Sequence, residues 1–407
     1  MVPKGWSEHT LDDLALVERG KFSVRPRNDP RYYGGDMPFV QTGDVTSSGT
    51  YLKSFSQTLN ENGIGVSKVF PKNTILITIA ANIGDTAITT FEVACPDSVV
   101  AIQPYKHVAD VYWLKKYLET RKTDLDAQST QNAQKNINLQ VLKPLLILTP
   151  PYAEQKKIAK ILSTWDNAIS VTEKLLADSQ QQKKALMQQL LTGKKRLLDE
   201  RGVRFSGEWK RVKLGAIADM NSGGTPKSTV EEYYGGNIPW VSISDMTSNG
   251  KWIATTEKYL TELGLNSSSA RIYPKNSVLY AMYASIGECS IAAVNLTSSQ
   301  AILGIRPKDC LNYEFLYFYL TSLKEKIKLQ GQQGTQSNLN AGMVKEFELD
   351  LPSIREQQKI AAVLSVADAE ISTLEKKLAC LRDEKKALMQ QLLTGKRRVK
   401  VDEAVAE

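Results

Sequence analysis

Histidine and cysteine are scarce in this sequence, and it contains no long apolar run. The 407 residues include only two histidines, His9 and His107, and four cysteines that are scattered along the chain. This usage argues against a histidine-based metal or proton-relay site, a zinc site and a disulfide framework. No run approaches the ~18 apolar residues of a membrane helix, and the N-terminus lacks the apolar core of a signal peptide. We therefore expect a soluble, cytoplasmic protein with no membrane partner.

The most informative feature that is present is a gap-free internal repeat. Residues 154–196 recur at residues 356–398, and the segment from Lys183 to Lys194 is identical to the segment from Lys385 to Lys396. The period is far longer than the ~20–50 residues of a solenoid repeat. The sequence therefore predicts one large unit that is used twice.

Each copy of the repeat is predicted to form a long helix with an apolar seam. The seam residues advance by alternating steps of four and three, which is the heptad spacing of helices that pack along a narrow stripe. In the first copy they are Ile158, Leu162, Trp165, Ile169, Thr172, Leu176, Ser179, Lys183, Leu186 and Leu190; in the second they are Ile360, Leu364, Ala367, Ile371, Leu374, Leu378, Leu381, Lys385, Leu388 and Leu392. We expect the two helices to pair antiparallel within the chain, and the alternative is pairing between chains.

The segments that precede the helices repeat loosely. Tyr32-Tyr33-Gly34-Gly35 matches Tyr233-Tyr234-Gly235-Gly236, and Gln134-Lys135-Asn136-Ile137-Asn138 matches Gln336-Ser337-Asn338-Leu339-Asn340. Short β-rich runs at 74–79 and 277–281 are bounded by Pro, Gly and Asn, and helices are predicted at 111–121 and 313–328. The predicted fold class is α/β (α+β), with two variable domains that contain small mixed β-sheets, joined by two long antiparallel helices in a pseudo-twofold repeat.

The predicted domain order follows from this repeat. It comprises a first variable domain (1–151), a long helix that acts as a central spacer (152–193), a basic linker (194–208), a second variable domain (209–353), a second long helix (354–395) and a C-terminal tail (396–407).

The net charge of +8 is concentrated on the helices and around the linker. Five cations of the densest cluster are candidates for phosphate contact: Lys194, Lys195, Arg196, Lys210 and Arg211. Basic patches on otherwise neutral domains fit a surface that binds nucleic acid. The alternative is a solvated helix end whose cations favour the C-terminal dipole.

Two short motifs are similar to catalytic motifs but are assigned no chemistry. Thr149-Pro150-Pro151-Tyr152 is similar to the loop with which amino-methyltransferases grip adenine, yet no Gly-rich cofactor loop precedes it, and the other half reads Leu351-Pro352-Ser353-Ile354. Gly223-Gly224-Thr225-Pro226-Lys227 lacks the spacing of a P-loop. No catalytic, cofactor-binding or metal-binding residue is predicted.

Together these features resemble the specificity (S) subunits of type I restriction–modification systems. The resemblance rests on variable domains that alternate with near-identical long helices, on Tyr-Tyr-Gly-Gly and Gln-x-Asn-Ile/Leu-Asn, and on Lys-Lys-Ala-Leu-Met-Gln-Gln-Leu-Leu-Thr-Gly-Lys, and it covers Trp6 to Arg398. It implies that the variable domains are target recognition domains, each reading one half of an asymmetric, bipartite, gapped DNA site.

The same resemblance implies a set of partners and a role in phage defence. The partners are double-stranded DNA, two adenine N6-methyltransferase (M) subunits held by the paired helices and, through them, restriction/translocase (R) subunits. S-adenosylmethionine, ATP and Mg²⁺ would belong to those partners, so the chain would bind no cofactor and would be no enzyme by itself. Its setting would be a prokaryotic cytoplasm, in association with the nucleoid through DNA. The alternatives are a stand-alone protein that binds a gapped DNA site and a scaffold that binds no nucleic acid.

Individual binding residues are predicted from loops that differ between the halves and from exposed helix positions that do not. Polar and cationic side chains on exposed loops can read base edges, which selects Lys21, Arg25, Arg27, Gln41, Thr42 and Asn82 in the first half and Thr225, Lys227, Ser242, Ser244 and Tyr283 in the second. The alternative for each of them is an ordinary surface residue. Helix positions that recur fit the binding of two copies of one M subunit, and they are Lys184, Gln188, Gln189, Lys386, Gln390 and Gln391.

Overall fold

A computed structural model describes residues 2–129, 136–333 and 339–401. The chain divides into two compact units, of which unit 1 comprises Met1–Glu173 and Lys376–Glu407 and unit 2 comprises Lys174–Glu375. Each unit thus combines one variable domain with half of each long helix. The bounds of the predicted domain list stay a prediction. Residues 134–135 and 336–338 of the repeated motif, and residues 402–407 of the predicted tail, lie outside the described residues.

The variable domain of unit 1 contains small mixed sheets. Its strands are β1 (Ser7–Thr10), β2 (Ala15–Arg19), β3 (Tyr33–Phe39), β4 (Tyr51–Leu52), β5 (Gln57–Leu59), β6 (Val69–Phe70), β7 (Ile75–Thr78), β8 (Thr86–Thr89), β9 (Val93–Ala94), β10 (Val99–Pro104) and β11 (Leu146–Thr149). In the described part of the chain they form sheets with the orders β2-β10-β7-β8-β4, β5-β3-β9-β6 and β1-β11. The β4–β8 and β3–β9 pairs are parallel and the others are antiparallel. Strand β7, inside the predicted run 74–79, is buried at every residue, as its apolar composition requires.

Short helices cover these sheets. They are α1 (Leu11–Leu14), α2 (Thr42–Ser47), α3 (Glu61–Gly65), α4 (Val111–Thr120), α5 (Lys122–Ser129) and α6 (Leu139–Leu142), with a 3₁₀ turn at Pro30–Tyr32. Helix α4 is the helix predicted at 111–121, and it begins where the Asp110 carboxylate accepts a bond of 2.9 Å from the Trp113 amide. Asn138 of the repeated motif caps α6 in the same way. Polar side chains at such positions satisfy amides that the first helical turn leaves unpaired.

The variable domain of unit 2 repeats this plan. Its strands are β12 (Lys210–Lys213), β13 (Ala218–Ser222), β14 (Tyr234–Val241), β15 (Trp252–Ile253), β16 (Lys258–Leu260), β17 (Val278–Ala281), β18 (Cys289–Ala292), β19 (Thr297–Ser298), β20 (Ile302–Pro307) and β21 (Glu348–Leu351). The sheet orders in the described residues are β13-β20-β17-β18-β15, β16-β14-β19 and β12-β21. The helices are α8 (Leu214–Ile217), α9 (Ile243–Asn249), α10 (Glu262–Asn266), α11 (Tyr313–Gln333) and α12 (Ala341–Lys345), with a 3₁₀ turn at Glu231–Tyr233.

The two repeated segments form the long helices that the heptad pattern predicts. They are α7 (Tyr152–Leu190), which lies between β11 and β12 in the chain, and α13 (Ile354–Leu392) after β21, each with 39 residues and thus about 58 Å long. All predicted seam residues are buried or half-buried. Gly193 and Gly395, both with φ of +68°, follow the helix ends, where a left-handed residue favours glycine.

Within each unit the halves of α7 and α13 pair antiparallel. In unit 1, Lys385 pairs with Asp166, and Arg382 donates to Glu173 at 2.7 Å. In unit 2, Lys183 pairs with Asp368, and the Ser179 hydroxyl bonds Glu370 at 3.2 Å. The pairing is therefore within the chain, as the sequence predicts.

Each domain shares its hydrophobic core with the ends of the long helices. In unit 1, Ile158 and Leu162 of α7 and Leu392 of α13 pack in one cluster with Trp113 of α4 and Ile147 of β11. Unit 2 has the equivalent cluster around Leu190, Ile360 and Phe315. Burial of this apolar surface fixes each domain to its helices. The predicted fold class, mixed α/β with small sheets, a repeated domain and long helices, is confirmed.

None of the described helices combines the length and the apolar composition that crossing a membrane would require.

Candidate nucleic-acid interface and partner-binding helices

An open cleft of about 670 Å³ in the first domain contains two of the predicted base-reading residues. Arg27 and Gln41 line it together with Asn28, Ser56, Gln57 and Thr58, and Phe22, Tyr33 and Phe39 are its aromatic lining. The Arg27 guanidinium donates to both oxygens of Asp97 at 2.7 and 2.9 Å, and the Gln41 amide donates to Gln57 at 2.9 Å. Guanidinium and amide groups on a cleft wall are the groups that bind base edges and phosphates.

The tyrosines of Tyr-Tyr-Gly-Gly hold the loops that carry predicted cations. The Tyr33 hydroxyl donates to the carbonyl oxygen of Arg27, and the Tyr234 hydroxyl donates to that of Pro226, next to Lys227, at 2.8 Å. Burial raises the pKa of both phenols, which keeps them protonated as donors. These tyrosines thus have a structural role, and the double glycine lies within strands β3 and β14 at a register shift.

The other predicted cations near these loops are exposed. Lys21, Arg25 and Lys227 lie on the surface, and the Arg25 guanidinium donates to the carbonyl oxygens of Phe22 and Val24. Thr225 is exposed and bonds Gln300 through its hydroxyl. The structure thus places Lys21, Arg25 and Arg27 on one stretch of domain 1, and Thr225 and Lys227 on the equivalent stretch of domain 2.

The predicted base-reading residues at the starts of α2 and α9 differ in their roles and in their exposure. Ser242 is half-buried, and its hydroxyl donates to Asp245 at 2.6 Å and accepts from the Asp245 amide, so it serves as a helix cap. Thr42 is half-buried at the first position of α2, and Ser244 is exposed. Base contact by these residues stays a prediction.

Asn82 and Tyr283 lie on equivalent exposed loops with an unusual backbone. Ala81 and Ala284, adjacent to them, have φ of +62° and +45°, a region that alanine rarely occupies. Such strain is concentrated at binding sites, because only the surrounding structure can maintain it. These two alanines were not predicted, because alanine itself gives no sign of a positive φ.

The predicted phosphate-contact residues differ in whether their charge is exposed or paired within the protein. Lys194, Lys195 and Lys210 are exposed. The Arg211 guanidinium donates to Asp350 at 2.9 and 3.1 Å. Arg196 is bound to Glu356 of α13, with nitrogen–oxygen distances of 2.5 and 2.7 Å. The charges of the two arginines are thus partnered within the protein, and phosphate contact by any of the five stays a prediction.

Arg196 belongs to an anchor that occurs in both units. In anchor 2, Glu356 accepts from Arg196 and from the Trp209 indole at 3.1 Å, and the guanidinium lies 5.5 Å from the Trp209 ring. In anchor 1, Glu154 accepts from Arg398 at 2.8 Å and from the Trp6 indole at 3.1 Å, and the guanidinium lies 5.7 Å from the Trp6 ring. Each anchor ties the first residues of a domain to the first turn of one long helix and to the arginine that follows the other.

The glutamine that follows each anchor glutamate fixes a second element. Gln155 accepts from the Asp110 amide at 2.8 Å, and Gln357 accepts from the Asn312 amide at 2.8 Å. These bonds hold the starts of α4 and α11 against the long helices. This role was not predicted, although the sequence signals it by repeating the Glu-Gln pair at both helix starts and a tryptophan at positions 6 and 209.

The predicted partner-binding residues on the helices all face solvent. Lys184, Gln188 and Gln189 of α7 and Lys386, Gln390 and Gln391 of α13 are exposed, while the seam residues between them are covered. Among the residues that the structure describes, no group of three or more His, Cys, Asp or Glu side chains is arranged to hold a metal ion.

A family model, the type I restriction modification DNA specificity domain, matches residues 3–178 and 206–381. The chain belongs to this family. The two matched segments coincide with the two repeats, so this specificity subunit contains two recognition domains.

Relatives with curated names support the assignment. The type I restriction enzyme MjaIX specificity subunit of Methanocaldococcus jannaschii is 36% identical over 172 residues, which are 42% of this chain and 40% of that protein. The putative MjaX specificity subunit of the same organism is 27% identical over 98% of this chain and 95% of its own length. The prediction of a non-catalytic specificity subunit is confirmed by the family and by these names.

Solved structures share the fold. The type I S subunit from M. genitalium superposes with a TM-score of 0.62 at 17% identity, covering 95% of this chain and 96% of that one. A chain from a structure on complex assembly and conformational transition of the type I R-M system gives 0.59 at 17% identity, covering 98% and 100%.

Proposed function

We propose that each recognition domain reads one half of an asymmetric, gapped DNA site, and that the paired helices hold two adenine N6-methyltransferase subunits. Restriction/translocase subunits would join the complex through the methyltransferases. In this scheme S-adenosylmethionine, ATP and Mg²⁺ are bound by the partners, and this chain supplies recognition and assembly.

The observation that carries the proposal is the contrast between the two kinds of exposed surface. Lys184, Gln188 and Gln189 recur on α13 although solvent exposure would have let them differ without loss of the helix seam. Identical surfaces on two copies of one unit fit two copies of one partner. The exposed loops of the domains differ from each other, which fits two unlike half-sites.

The DNA-reading role is supported by the chemistry of those loops. The first domain combines a cleft with polar walls, which include Arg27 and Gln41, with the exposed cations Lys21 and Arg25. Lys and Arg contacts to phosphates supply affinity that does not depend on sequence, and amide or guanidinium contacts to base edges supply discrimination. The loops around Asn82 and Tyr283 offer a second exposed element in each domain.

The test is co-expression of the chain with its methyltransferase, followed by native mass spectrometry and mapping of methylated adenines. The proposal predicts two methyltransferase copies per chain and methylation at two different half-sites separated by a fixed gap. Retention of specific DNA without a bound methyltransferase would instead support a stand-alone DNA-binding protein. Binding of neither partner would support a scaffold.

A further inference from the structure

The long helices present the same three polar residues to each recognition domain. We name these sets socket 1, which is Ser163, Asp166 and Lys385, and socket 2, which is Ser365, Asp368 and Lys183. The lysine of each socket pairs with Oδ1 of the aspartate across the two helices. Since the socket residues are repeat equivalents, both domains meet one and the same polar surface.

Domain 1 fills socket 1 with a lysine from α4. Lys116 Nζ lies 2.8 Å from Asp166 Oδ2, which also accepts from the Thr50 hydroxyl and the Tyr112 hydroxyl at 2.6 Å each. The Lys116 side chain is only 2% exposed. Burial alone would raise the pKa of Asp166, but the charge of Lys116 and the hydrogen bonds from Lys116, Lys385 and Thr50 together outweigh burial and hold the pKa well below its usual range. The contact is therefore a largely desolvated ion pair, in which Asp166 Oδ2 interacts with three donors of domain 1.

Domain 2 has different residues at all three of these positions. Lys251 occupies the position equivalent to Thr50. The carbonyl oxygen of Thr50 accepts from the Ile88 amide of β8, and that of Lys251 accepts from the Ile291 amide of β18. Glu314 replaces Tyr112, and Phe318 replaces Lys116, because the N-terminal ends of α4 and α11 are fixed by equivalent glutamines.

In domain 2 the cation therefore comes from the loop and not from the helix. Lys251 Nζ donates to the Ser365 hydroxyl at 2.8 Å, lies 3.5 Å from Glu314 and sits 4.6 Å from the centroid of the Phe318 ring. The Ser365 hydroxyl in turn donates to Glu314 at 2.8 Å. Among the described residues, Asp368 Oδ2 is buried without a hydrogen-bond partner, so this domain uses the serine of the socket where domain 1 uses the aspartate.

We propose that the two sockets are equivalent docking sites, on which the two recognition domains are positioned by different sets of residues. The socket contact of each domain is made by one largely covered cation, Lys116 or Lys251, whose side chains are 2% and 14% exposed. Each cation belongs to a matched set of three residues. The sets are Thr50, Tyr112 and Lys116 in domain 1 and Lys251, Glu314 and Phe318 in domain 2. In domain 1 a second buried lysine, Lys115, lies beside Lys116, and both lysines pair with Glu119. A domain with no cation at the socket would leave the socket carboxylate or hydroxyl without its charged partner.

The test exchanges the matched sets in the full chain and requires no DNA. Lys116→Phe alone should lower the melting temperature by about 5 °C, because loss of one partner of a buried pair is costly. The triple variant Thr50→Lys, Tyr112→Glu, Lys116→Phe should recover at least half of that loss. In domain 2, Lys251→Thr should lower the melting temperature, and adding Glu314→Tyr and Phe318→Lys should recover it. Lys72→Phe, at an exposed lysine of domain 1, is the control and should have little effect.

Recovery of the melting temperature by the matched set distinguishes a positioning role from ordinary core packing. In an ordinary core, two further substitutions would lower the melting temperature further. Losses in the triple variants that equal or exceed the summed losses of the single variants would overturn the proposal. If Lys116→Phe does not fold, Lys116→Met with and without Thr50→Lys replaces it. Absence of recovery by the new lysine would then contradict the proposal equally.

Discussion

The anchors of the two units allow a prediction in which the same substitution is made in each unit and the two effects are compared. We consider Glu154→Gln in anchor 1 and Glu356→Gln in anchor 2. Each change keeps the shape of the side chain but removes its charge. It also replaces one acceptor oxygen with an NH₂ group that faces the donors of Arg398 or Arg196. The indole of Trp6 or Trp209 and the guanidinium then compete for one acceptor.

The magnitude follows from the burial of the pairs. The glutamate side chains are 4% and 2% exposed, whereas Arg398 is 41% exposed and Arg196 is 20% exposed. Breaking a fully buried pair costs about 3–5 kcal/mol, and a partly exposed arginine recovers part of that cost through hydration. We expect a loss of about 1–2 kcal/mol for Glu154→Gln and about 2–3 kcal/mol for Glu356→Gln, since Arg196 is the less hydrated partner.

The assay is urea unfolding combined with hydrogen exchange read by mass spectrometry. Trp6 directly precedes β1, and Trp209 directly precedes β12. Local opening should therefore raise exchange in β1 and β11 for Glu154→Gln, and in β12 and β21 for Glu356→Gln. Glu92→Gln and Glu257→Gln, at exposed glutamates of the same two units, are matched controls and should change neither property.

Two results would refute this reasoning. One is unchanged stability in both anchor variants, which would mean that the tryptophan–glutamate–arginine geometry contributes nothing. The other is faster exchange in the opposite unit, which would mean that the anchors do not act where they lie.

Three further predictions concern the helices, the socket and the recognition loops. Leu378→Asp places a carboxylate in the buried seam at a cost of several kcal/mol and should reduce both the melting temperature and methyltransferase binding. Lys386→Ala should weaken methyltransferase binding alone. If native mass spectrometry showed that both variants bind the methyltransferase as well as the unchanged chain does, the proposal that the helices hold the methyltransferases would be contradicted. Because the folded-state pKa of Asp166 is lowered, the stability it contributes is complete above the unfolded carboxyl pKa of about 3.9 and is lost as the pH falls below it. Asp166→Asn should therefore be less stable near neutral pH and should show a smaller loss on acidification, and an unchanged pH profile would count against the ion pair. Lys21→Ala with Arg25→Ala should reduce the salt dependence of DNA binding by about two ions, measured by fluorescence anisotropy, and an unaltered slope would remove these residues from the phosphate contacts.

The architecture of the helices could be predicted because periodic apolar positions report directly on packing. The seam from Ile158 to Leu190 and its repeat could form only one kind of structure, a long helix with a covered stripe. Gly193 follows the end of α7 in a left-handed conformation, which glycine adopts more readily than other residues. Both features depend on residues that are close in the sequence, so they could be predicted without knowledge of distant contacts.

The candidate site could be predicted less well, because the partner of a side chain depends on distant parts of the chain. Arg196 reads as a free cation in a basic linker, yet Glu356, far along the chain, binds its guanidinium. Lys116 lies in an amphipathic helix, where charge normally indicates solvent, but its ammonium is buried against Asp166. Ala81 shows no sign of its positive φ, because the surrounding loop and not the residue imposes it.

The two compact units of the chain likewise depend on contacts between distant segments. A linear list assigns each helix to one segment. Antiparallel pairing instead brings the first half of α7 into one unit with the second half of α13. The recurring Glu-Gln pair at each helix start, which holds Trp6 and Asp110 in unit 1, was the sequence signal for this association.

The central claim, that the two domains read separate halves of one DNA site, is tested most directly by mapping methylated adenines after a domain replacement. Residues 1–151 would be replaced by the equivalent segment of a relative, which moves positions 50, 112 and 116 together. The account predicts that one half-site changes while the other half-site and the gap between them stay the same. A change in both half-sites, or methylation at a single uninterrupted sequence before and after replacement, would contradict it.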